Sequence, residues 1–316
     1  MGEEKRLYTM EDVKASFKER DAWWTVLLVD PIAARLILTV ANRTRITPNQ
    51  LSIASFIVGM TAALCFYLGN YLALVIGALL YHISFIIDCM DGKIARMKGT
   101  GTSFGILLDI SLDHVRVALC GIALTFGQFR LTDDVTYLYL LPLFLVAYFA
   151  RHINALQLYK LRREMQKKLS EAKEELKQRL EAAGVKEGQG RKYLKETHGL
   201  DPADDGSKTD LQLNFKTKFR AFTRIREFFL AKRIRMHFFS GIEFQMFIFI
   251  VAPVLGIIKE TILFGSILLF AFEAAILYKI WLSTKDFERE YRKIRTAAES
   301  LDEAGKESAE GAKQTG

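Results

Sequence analysis

The sequence predicts an all-α, polytopic integral membrane protein, and two observations carry this prediction. Hydrophobic residues make up 50% of the 316 positions, while charged residues still make up 25%. The two kinds of residue are segregated along the chain: few charges lie between positions 47 and 158, whereas positions 160 to 235 hold 21 Lys or Arg and 12 Asp or Glu. This segregation excludes an ordinary soluble domain, a disordered chain and a disulfide-stapled secreted domain.

Six segments are apolar enough to cross a bilayer, which takes about 20 residues in an α-helix. The predicted spans are Pro48–Leu68, Leu72–Met90, Phe104–Phe126, Val135–Leu158, Ile242–Ile258 and Ile262–Leu282. The connections on one side of these spans contain most of the Lys and Arg, whereas those on the opposite side contain only Arg130 and Lys259. Because basic residues accumulate on the cytoplasmic side, we predict that both termini are cytoplasmic.

The region before the first span, residues 1–46, is predicted to contain a helix that lies on the cytoplasmic membrane surface. Trp23 and Trp24 stand next to an amphipathic run, and Trp favours the membrane interface. The alternative is a seventh, short span. The charged residues of this run make that alternative too polar; they are Asp30, Arg35 and Arg43.

The remaining chain divides into four parts by composition. These parts are 47–159 with the first four spans, the charged insert 160–240, 241–283 with the last two spans, and the cytoplasmic tail 284–316. The excess of basic residues in the insert accounts for the whole net charge of +8. Basic residues beside membrane spans indicate attraction to anionic lipid, so we predict no nucleic acid partner.

The insert is predicted to have three segments. Lys160–Ala183 is rich in helix-forming residues with Glu/Lys pairs at helical spacing, and it is predicted to extend the fourth span. Gly184–Asp210 has the composition of a linker. Leu211–Met236 places phenylalanines on one helix face and Lys or Arg on the other, which predicts a helix lying on the membrane. A helix that binds a protein partner is the alternative. The polar tail after Ser300 is predicted to be disordered.

Four carboxylates lie inside the apolar region, where each costs roughly 2.5 to 3.5 kcal/mol without compensation. Asp88 and Asp91 share one helix face because they are three positions apart, and Asp109 and Asp113 share another because they are four apart. The short turn Lys98–Thr102 makes the two helices antiparallel neighbours. We therefore expect the four carboxylates to converge near the cytoplasmic ends of the two helices.

A cluster of carboxylates without His or Cys favours a hard divalent cation, namely Mg²⁺, Mn²⁺ or Ca²⁺, over zinc. One alternative is that the acids pair with basic residues such as Arg96 and Arg116, although two bases cannot neutralise four acids. A second alternative is an ion or proton pathway through a transporter.

These residues carry a resemblance to a known family. The pattern D-x2-D-G-x2-A-R-x8-G-x3-D-x3-D, which is the signature of the CDP-alcohol phosphotransferase (CDP-alcohol phosphatidyltransferase) family, is matched at every specified position. The matching residues are Asp88, Asp91, Gly92, Ala95, Arg96, Gly105, Asp109 and Asp113. The segment Ile46–Ser52, which opens the first span, also resembles that family. The resemblance covers roughly residues 20–160 and 240–285, and it leaves the insert 160–240 without an interpretation.

The resemblance implies a role for each residue of the signature. Asp88, Asp91 and Asp109 would hold the divalent metal, Mg²⁺ or Mn²⁺, with Asp113 close to it. Asp113 would also be the general base that takes the proton from the acceptor hydroxyl. The nucleotide of a CDP-linked donor would lie against a pocket formed by Asp88, Gly92, Ala95, Arg96 and Gly105.

The predicted reaction displaces CMP from a CDP-linked donor, preferentially CDP-diacylglycerol, with the hydroxyl of a small polar alcohol, and the active site faces the cytoplasm. Candidate contacts for the acceptor are Arg116, Arg151, His152 and Lys160. The alternative within the family is transfer of a phospho-alcohol from a small CDP-alcohol to a lipid. A carboxylate-lined cation transporter is the alternative from another class. Membrane lipids are the expected surroundings, and a homodimer is an open alternative to a monomer.

Overall fold

The computed structural model describes residues 7–182, 229, 231–235 and 239–314, and it describes side chains of the last helix as far as Leu301. Every regular element in these ranges is helical, which confirms the predicted all-α class. In chain order the elements are α1 (Met10–Ala15), a π-helical turn (Thr25–Val29), α2 (Asp30–Arg43), α3 (Pro48–Leu68), α4 (Tyr71–Lys98), α5 (Ser103–Thr132), α6 (Thr136–Ala182), α7 (Gly241–Met246), a second π-helical turn (Phe247–Val251), α8 (Ala252–Leu255) and α9 (Ile258–Gln314).

The boundaries of α3 and α4 follow from their capping residues. Thr47 forms a capping box with Gln50 at the start of α3, and Gly69 ends the helix in the left-handed conformation at φ 76°. Asn70 then accepts a hydrogen bond from the backbone of α4, which ends at Gly99 with φ 65°. Because the turn between α3 and α4 is so short, the two helices pack as antiparallel neighbours, and α3 also packs against α5. The prediction that α4 and α5 are themselves packed neighbours is wrong, because each of them packs on α3 instead.

Five helices are long and apolar enough to cross a membrane. They are Thr25–Arg43, Pro48–Leu68, Tyr71–Lys98, Thr136–Ala182 and Ile258–Leu301. The last four correspond to predicted spans. The predicted third span lies in α5, which is more polar because it carries Asp109, Asp113 and Arg116. The predicted fifth span corresponds to the shorter apolar stretch Gly241–Leu255.

The chain forms two compact units, and the first comprises residues 1–152 and 224–272. Its core contains stacked aromatic rings from α3, α4, α6 and the chain after Gly241. The Phe144 ring lies 5.7 Å from that of Phe244, and the Tyr81 ring lies 4.6 Å from that of Phe249. All four rings are buried. These contacts hold the carboxylate-bearing helices α4 and α5 in a fixed bundle with α3 and α6.

The second unit comprises residues 153–223 and 273–316. Leu169, Leu176 and Leu180 of α6 pack there with Ile294 and Ala297 of α9. The predicted helical extension Lys160–Ala183 is confirmed as far as Ala182. The prediction of a disordered tail after Ser300 is wrong for the described backbone, because α9 continues to Gln314.

The predicted linker Gly184–Asp210 and most of the predicted amphipathic helix Leu211–Met236 lie outside the described residues. Within the described part of that helix, the chain turns at Lys232 and Arg233, and Ile234 forms an isolated bridge with Asp21. The prediction that the helix continues to Met236 is therefore wrong at its end. Arg233 has φ 62°, which a right-handed helix does not permit.

Candidate active site

The end of α4 and the start of α5 bring three carboxylates together. Asp88, Asp91 and Asp109 each offer one oxygen, and these three oxygens lie within 4.8 Å of one another. Asp91 is buried, and the other two are partly buried. The predicted convergence of these three residues is therefore confirmed. Asp113 is not part of this trio.

The trio fits a divalent cation by the chemistry of its free oxygen atoms. Asp109 Oδ1 is buried and has no hydrogen-bond partner in the described chain, whereas Asp91 accepts a hydrogen bond from Ser52 Oγ at 2.5 Å. An ionised carboxylate only accepts hydrogen bonds, so a buried oxygen without a donor is free to bind a cation. Hard oxygen ligands in this number suit Mg²⁺ or Mn²⁺.

Arg116 is buried inside the bundle and pairs with two of the four carboxylates. Its side chain is 2% exposed, and its guanidinium forms ion pairs with Asp88 at 3.2 Å and with Asp113. It also donates hydrogen bonds to the hydroxyls of Ser55 and Ser84, at 3.0 Å for Ser84. A charge this deeply buried needs paired partners, and two acids with two hydroxyls provide them.

The serine pair joins α3 to α4. Ser55 Oγ donates to the carbonyl of Ser84 at 2.9 Å, and Ser84 Oγ donates to the carbonyl of Ser55 at 2.7 Å. Gly59 leaves the space for Arg116, because a Cβ at Gly59 would lie 2.7 Å from Arg116 Cγ. The sequence analysis missed these three small residues, and the only signal for them was the presence of polar or small residues in an apolar helix.

The structure gives Arg116 a different environment from the predicted one. We predicted a contact with the acceptor, yet the guanidinium is engaged with Asp88 and Asp113 inside the bundle. Arg116 therefore orients the carboxylates, and the alternative of Arg–Asp pairing applies to two of the four acids.

Three of the predicted nucleotide-pocket residues, Gly92, Ala95 and Arg96, follow Asp91 along α4. Arg96 Nε donates to the carbonyl of Ser16 at 2.7 Å, and Arg96 lines a cavity of about 480 Å³. A Cβ at Gly92 would lie 3.5 Å from Arg96 Nη1, so Arg96 runs along the backbone of α4. Ala95 lies next along the same helix.

Gly105, near the start of α5, lies close to Asn49 of α3. A Cβ at Gly105 would lie 2.7 Å from Asn49 Oδ1, so the Asn49 side chain would have to shift to make room for it. Asn49 belongs to the segment Ile46–Ser52 that also provides Ser52 to Asp91. The first turn of α3 therefore contacts both carboxylate-bearing helices.

The remaining predicted acceptor contacts lie on α6. His152 is partly buried, and its ring lies 4.6 Å from that of His114, the neighbour of Asp113 in sequence. The guanidinium of Arg151 lies 5.7 Å from the centre of the Phe272 ring. Lys160 is an exposed residue of the second unit. The structure thus brings His152 close to the α5 carboxylates through His114.

The three carboxylates Asp88, Asp91 and Asp109, with the buried Arg116 beside them, form a group that could hold a divalent metal ion. Residues 45–177 match the family CDP-alcohol phosphatidyltransferase. The chain therefore carries a domain of this family and is an integral membrane protein, and the resemblance seen in the signature is confirmed.

Several curated proteins are similar to this chain. An archaetidylinositol phosphate synthase from Pyrococcus horikoshii is 37% identical over 105 residues, which cover 33% of this chain and 53% of that protein. A phosphatidylinositol phosphate synthase from Corynebacterium glutamicum is 34% identical over 89 residues, covering 28% of this chain and 37% of that protein. A CDP-diacylglycerol–glycerol-3-phosphate 3-phosphatidyltransferase from Rickettsia typhi is 42% identical over 77 residues, covering 24% and 43%. The chain thus spans about half or less of the length of these relatives.

Proposed function

We propose that this protein is a CDP-alcohol phosphotransferase of phospholipid synthesis, which transfers the phosphatidyl group of CDP-diacylglycerol to a small polar alcohol or its phosphate. The observation that carries the proposal is the trio Asp88, Asp91 and Asp109, built by the family signature and held next to Asp113. The names of the three relatives describe synthases of phosphorylated phospholipids, which supports this choice of reaction class.

The chemistry is a substitution at phosphorus. The acceptor hydroxyl oxygen bonds to the phosphorus that carries diacylglycerol, the bond from that phosphorus to the CMP oxygen breaks, and the hydroxyl proton passes to Asp113. Bound Mg²⁺ or Mn²⁺ would neutralise charge on the pyrophosphate and on the departing CMP. The trio would hold that ion, while Arg96 and the small residues Gly92, Ala95 and Gly105 would admit the nucleotide.

The contacts of Arg116 give Asp113 a position and a role that differ from those of the trio. Arg116 fixes the orientation of Asp113 relative to Asp88, because one guanidinium nitrogen pairs with each carboxylate. Asp113 keeps 26% of its side chain exposed, so an acceptor can reach it. Positioned reactants account for much of the rate of phosphoryl transfer, so this orientation contributes directly to turnover.

The function is tested by a product assay with purified protein, CDP-diacylglycerol and a panel of polar alcohols and their phosphates. We expect CMP release together with a new phospholipid, strictly dependent on added Mg²⁺ or Mn²⁺ and stopped by a chelator. A reaction without any alcohol is the control for hydrolysis of the donor. Product formed only from a small CDP-alcohol and a lipid would establish the alternative reaction, and cation transport without CMP release would refute the enzyme.

We further propose six spans with both termini and the active site on the cytoplasmic side, counting α5 as a span and placing α2 on the membrane surface. Asp30, the first residue of α2, pairs with Lys93 near the end of α4 at 2.6 Å. The end of α2 leads directly into α3, whose Asn49 lies against Gly105 at the start of α5. Because α5 starts just after α4 ends, both ends of α2 lie at the same end of the bundle.

Sided cysteine labelling tests this topology. In a chain whose three native cysteines are replaced by Ala, Glu19→Cys and Arg45→Cys flank the segment that contains α2, and both positions are exposed. We expect both to react with an impermeant maleimide from the same, cytoplasmic side of sealed vesicles. Arg130→Cys, at the other end of α5, is the matched control and should react only from the opposite side. Labelling of Glu19→Cys and Arg45→Cys from opposite sides would make the segment a span.

A further inference from the structure

The ring of Phe17, just after α1, lies between two cations. Lys93 Nζ and the guanidinium carbon of Arg233 are each 5.0 Å from its centre. Both cations also pair with Asp30, Lys93 at 2.6 Å and Arg233 at 3.4 Å. Asp30 and Lys93 are 5% and 3% exposed. A buried carboxylate shared by two cations that flank one ring forms a closed cluster, in which each charge has a partner.

Arg233 also holds the backbone next to Phe17. Its Nη2 and Nε donate to the carbonyl of Lys18 at 2.7 and 3.2 Å. From the α4 side, Arg96 Nε donates to the carbonyl of Ser16 at 2.7 Å. The three residues 16–18 are therefore fixed between Arg233, which lies near the end of the insert 160–240, and Arg96, which belongs to the signature.

The backbone at Arg233 is held in a costly conformation. Its φ of 62° is unusual for a residue with a side chain, and such a conformation persists only where the surroundings impose it. Asp21 imposes it here: its N–H donates to the carbonyl of Arg233 at 2.9 Å, and its carbonyl accepts from the N–H of Arg235 at 2.8 Å. The strained turn aims the Arg233 side chain at Asp30 and Lys18.

We propose that Arg233 is a positioning residue of the active site, although it lies outside the matched segment 45–177. It fixes residues 16–18, these residues fix Arg96 through the Ser16 carbonyl, and Arg96 is thereby kept along Gly92 in the nucleotide pocket. The inference rests on the proposed function, in which Arg96 faces the phosphates of the donor. Its consequence is that the end of the insert 160–240 controls affinity for the CDP-linked donor.

The test compares Arg233→Met with Arg235→Met in the full-length protein. Arg235 is the matched control, because it lies two residues further along the chain and contacts Asp21 at 3.7 Å and the carbonyl of Arg20 at 3.3 Å, whereas Arg233 contacts Asp30 and the carbonyl of Lys18. The probe is CDP in the presence of Mn²⁺. We expect Arg233→Met to raise the Kd for CDP roughly three- to thirtyfold, the range found along connected networks, and to raise the donor KM in parallel. The kcat at saturating donor should change less than the KM, and Arg233→Lys, which keeps the charge, should give an intermediate Kd.

Hydrogen exchange measured on the same samples reports the positioning directly. We expect faster amide exchange over residues 10–20 in Arg233→Met. In Arg235→Met we expect wild-type exchange over residues 10–18, with any change confined to the residues next to Arg20, whose carbonyl Arg235 contacts. Wild-type Kd or wild-type exchange in Arg233→Met would overturn the proposal, as would equal changes in both variants. If Arg233→Met does not fold, Phe17→Leu takes its place with the same expected results and the same refuting ones. Absence of CDP binding by the wild-type protein would refute the proposed function instead, and the exchange data would still decide whether Arg233 fixes residues 10–20.

Discussion

Asp109→Asn is expected to weaken Mn²⁺ binding at least about 100-fold, since even the outer partners of metal ligands contribute 10- to 100-fold. CDP binding in the presence of Mn²⁺ should be lost with it. Asp109 is the most informative member of the trio, because its Oδ1 has no hydrogen-bond partner in the described chain. Substitution therefore removes a charged ligand whose Oδ1 atom has no hydrogen bond to lose. Electron paramagnetic resonance of free Mn²⁺ measures the affinity.

The same variant should behave in the opposite way without metal. Three carboxylates within 4.8 Å repel one another when no cation is bound, so replacing one of them relieves repulsion. In chelator we expect Asp109→Asn to melt at a higher temperature than the wild type, while added Mn²⁺ should raise the melting temperature of the wild type alone. These two changes in melting temperature, one in chelator and one with added Mn²⁺, together distinguish a metal site from a network of structural hydrogen bonds.

Asp133→Asn is the matched control at the other end of α5. Asp133 is exposed and caps the helix with φ 53°, a conformation that Asn adopts readily. We expect its Mn²⁺ affinity and melting behaviour to equal those of the wild type. Wild-type Mn²⁺ affinity in Asp109→Asn would rule out the trio as the metal site. Asp88→Asn should also lose affinity for the metal and for the donor. Because this substitution removes an ion-pair partner of Arg116 as well, its effect cannot be assigned to the metal alone.

The carboxylate cluster could be predicted because its signal is local. Asp88 and Asp91 are three positions apart and share a helix face, and the short turn after Lys98 makes α5 start close to the end of α4. Spacing and turn length together place Asp109 opposite the pair. The helical class and four of the five apolar spans follow in the same way from runs of apolar residues.

The contacts that Arg116 makes with α3 and α4 could not be predicted, because they depend on how the helices are rotated about their axes relative to each other. α3 is apolar on all sides, so its sequence does not indicate which face meets α4. Only the packed bundle shows that Ser55 and Gly59 face Arg116. The contact between Arg233 and residues 16–18 is even less visible, since the partners are far apart in sequence and the turn at Arg233 uses a conformation that local propensity disfavours.

In the tail after Ser300, a polar composition does not correspond to disorder. The residues after Ser300 lack an apolar stripe of their own, yet they continue a helix that is already formed. Extension of an existing helix requires only one further hydrogen bond per residue, whereas a new helix must first be nucleated. Ile294 and Ala297 pack against α6 in the second unit and stabilise the helix up to this point.

Asp113→Asn is expected to reduce turnover at least about 100-fold while retaining affinity for Mn²⁺ and CDP, since general base catalysis typically contributes 10²- to 10⁴-fold. Asp113 lies outside the metal trio and is ion-paired with Arg116, so its carboxylate is oriented without being a member of the trio. Asn keeps an oxygen that can accept the hydrogen bond from Arg116, but it cannot take up the proton of the acceptor hydroxyl. The orientation of the site is thus preserved while its basic group is removed.

The measurement is kcat and donor KM for CMP release, together with the Kd for CDP in Mn²⁺. Asp109→Asn is the comparison, because it should lose affinity as well as turnover, whereas Asp113→Asn should lose turnover with little change in Kd. If Asp113→Asn turns over within about tenfold of the wild type, Asp113 is not the general base. If it instead loses Mn²⁺ as strongly as Asp109→Asn does, Asp113 belongs with the metal ligands, and the acceptor proton must leave by another group.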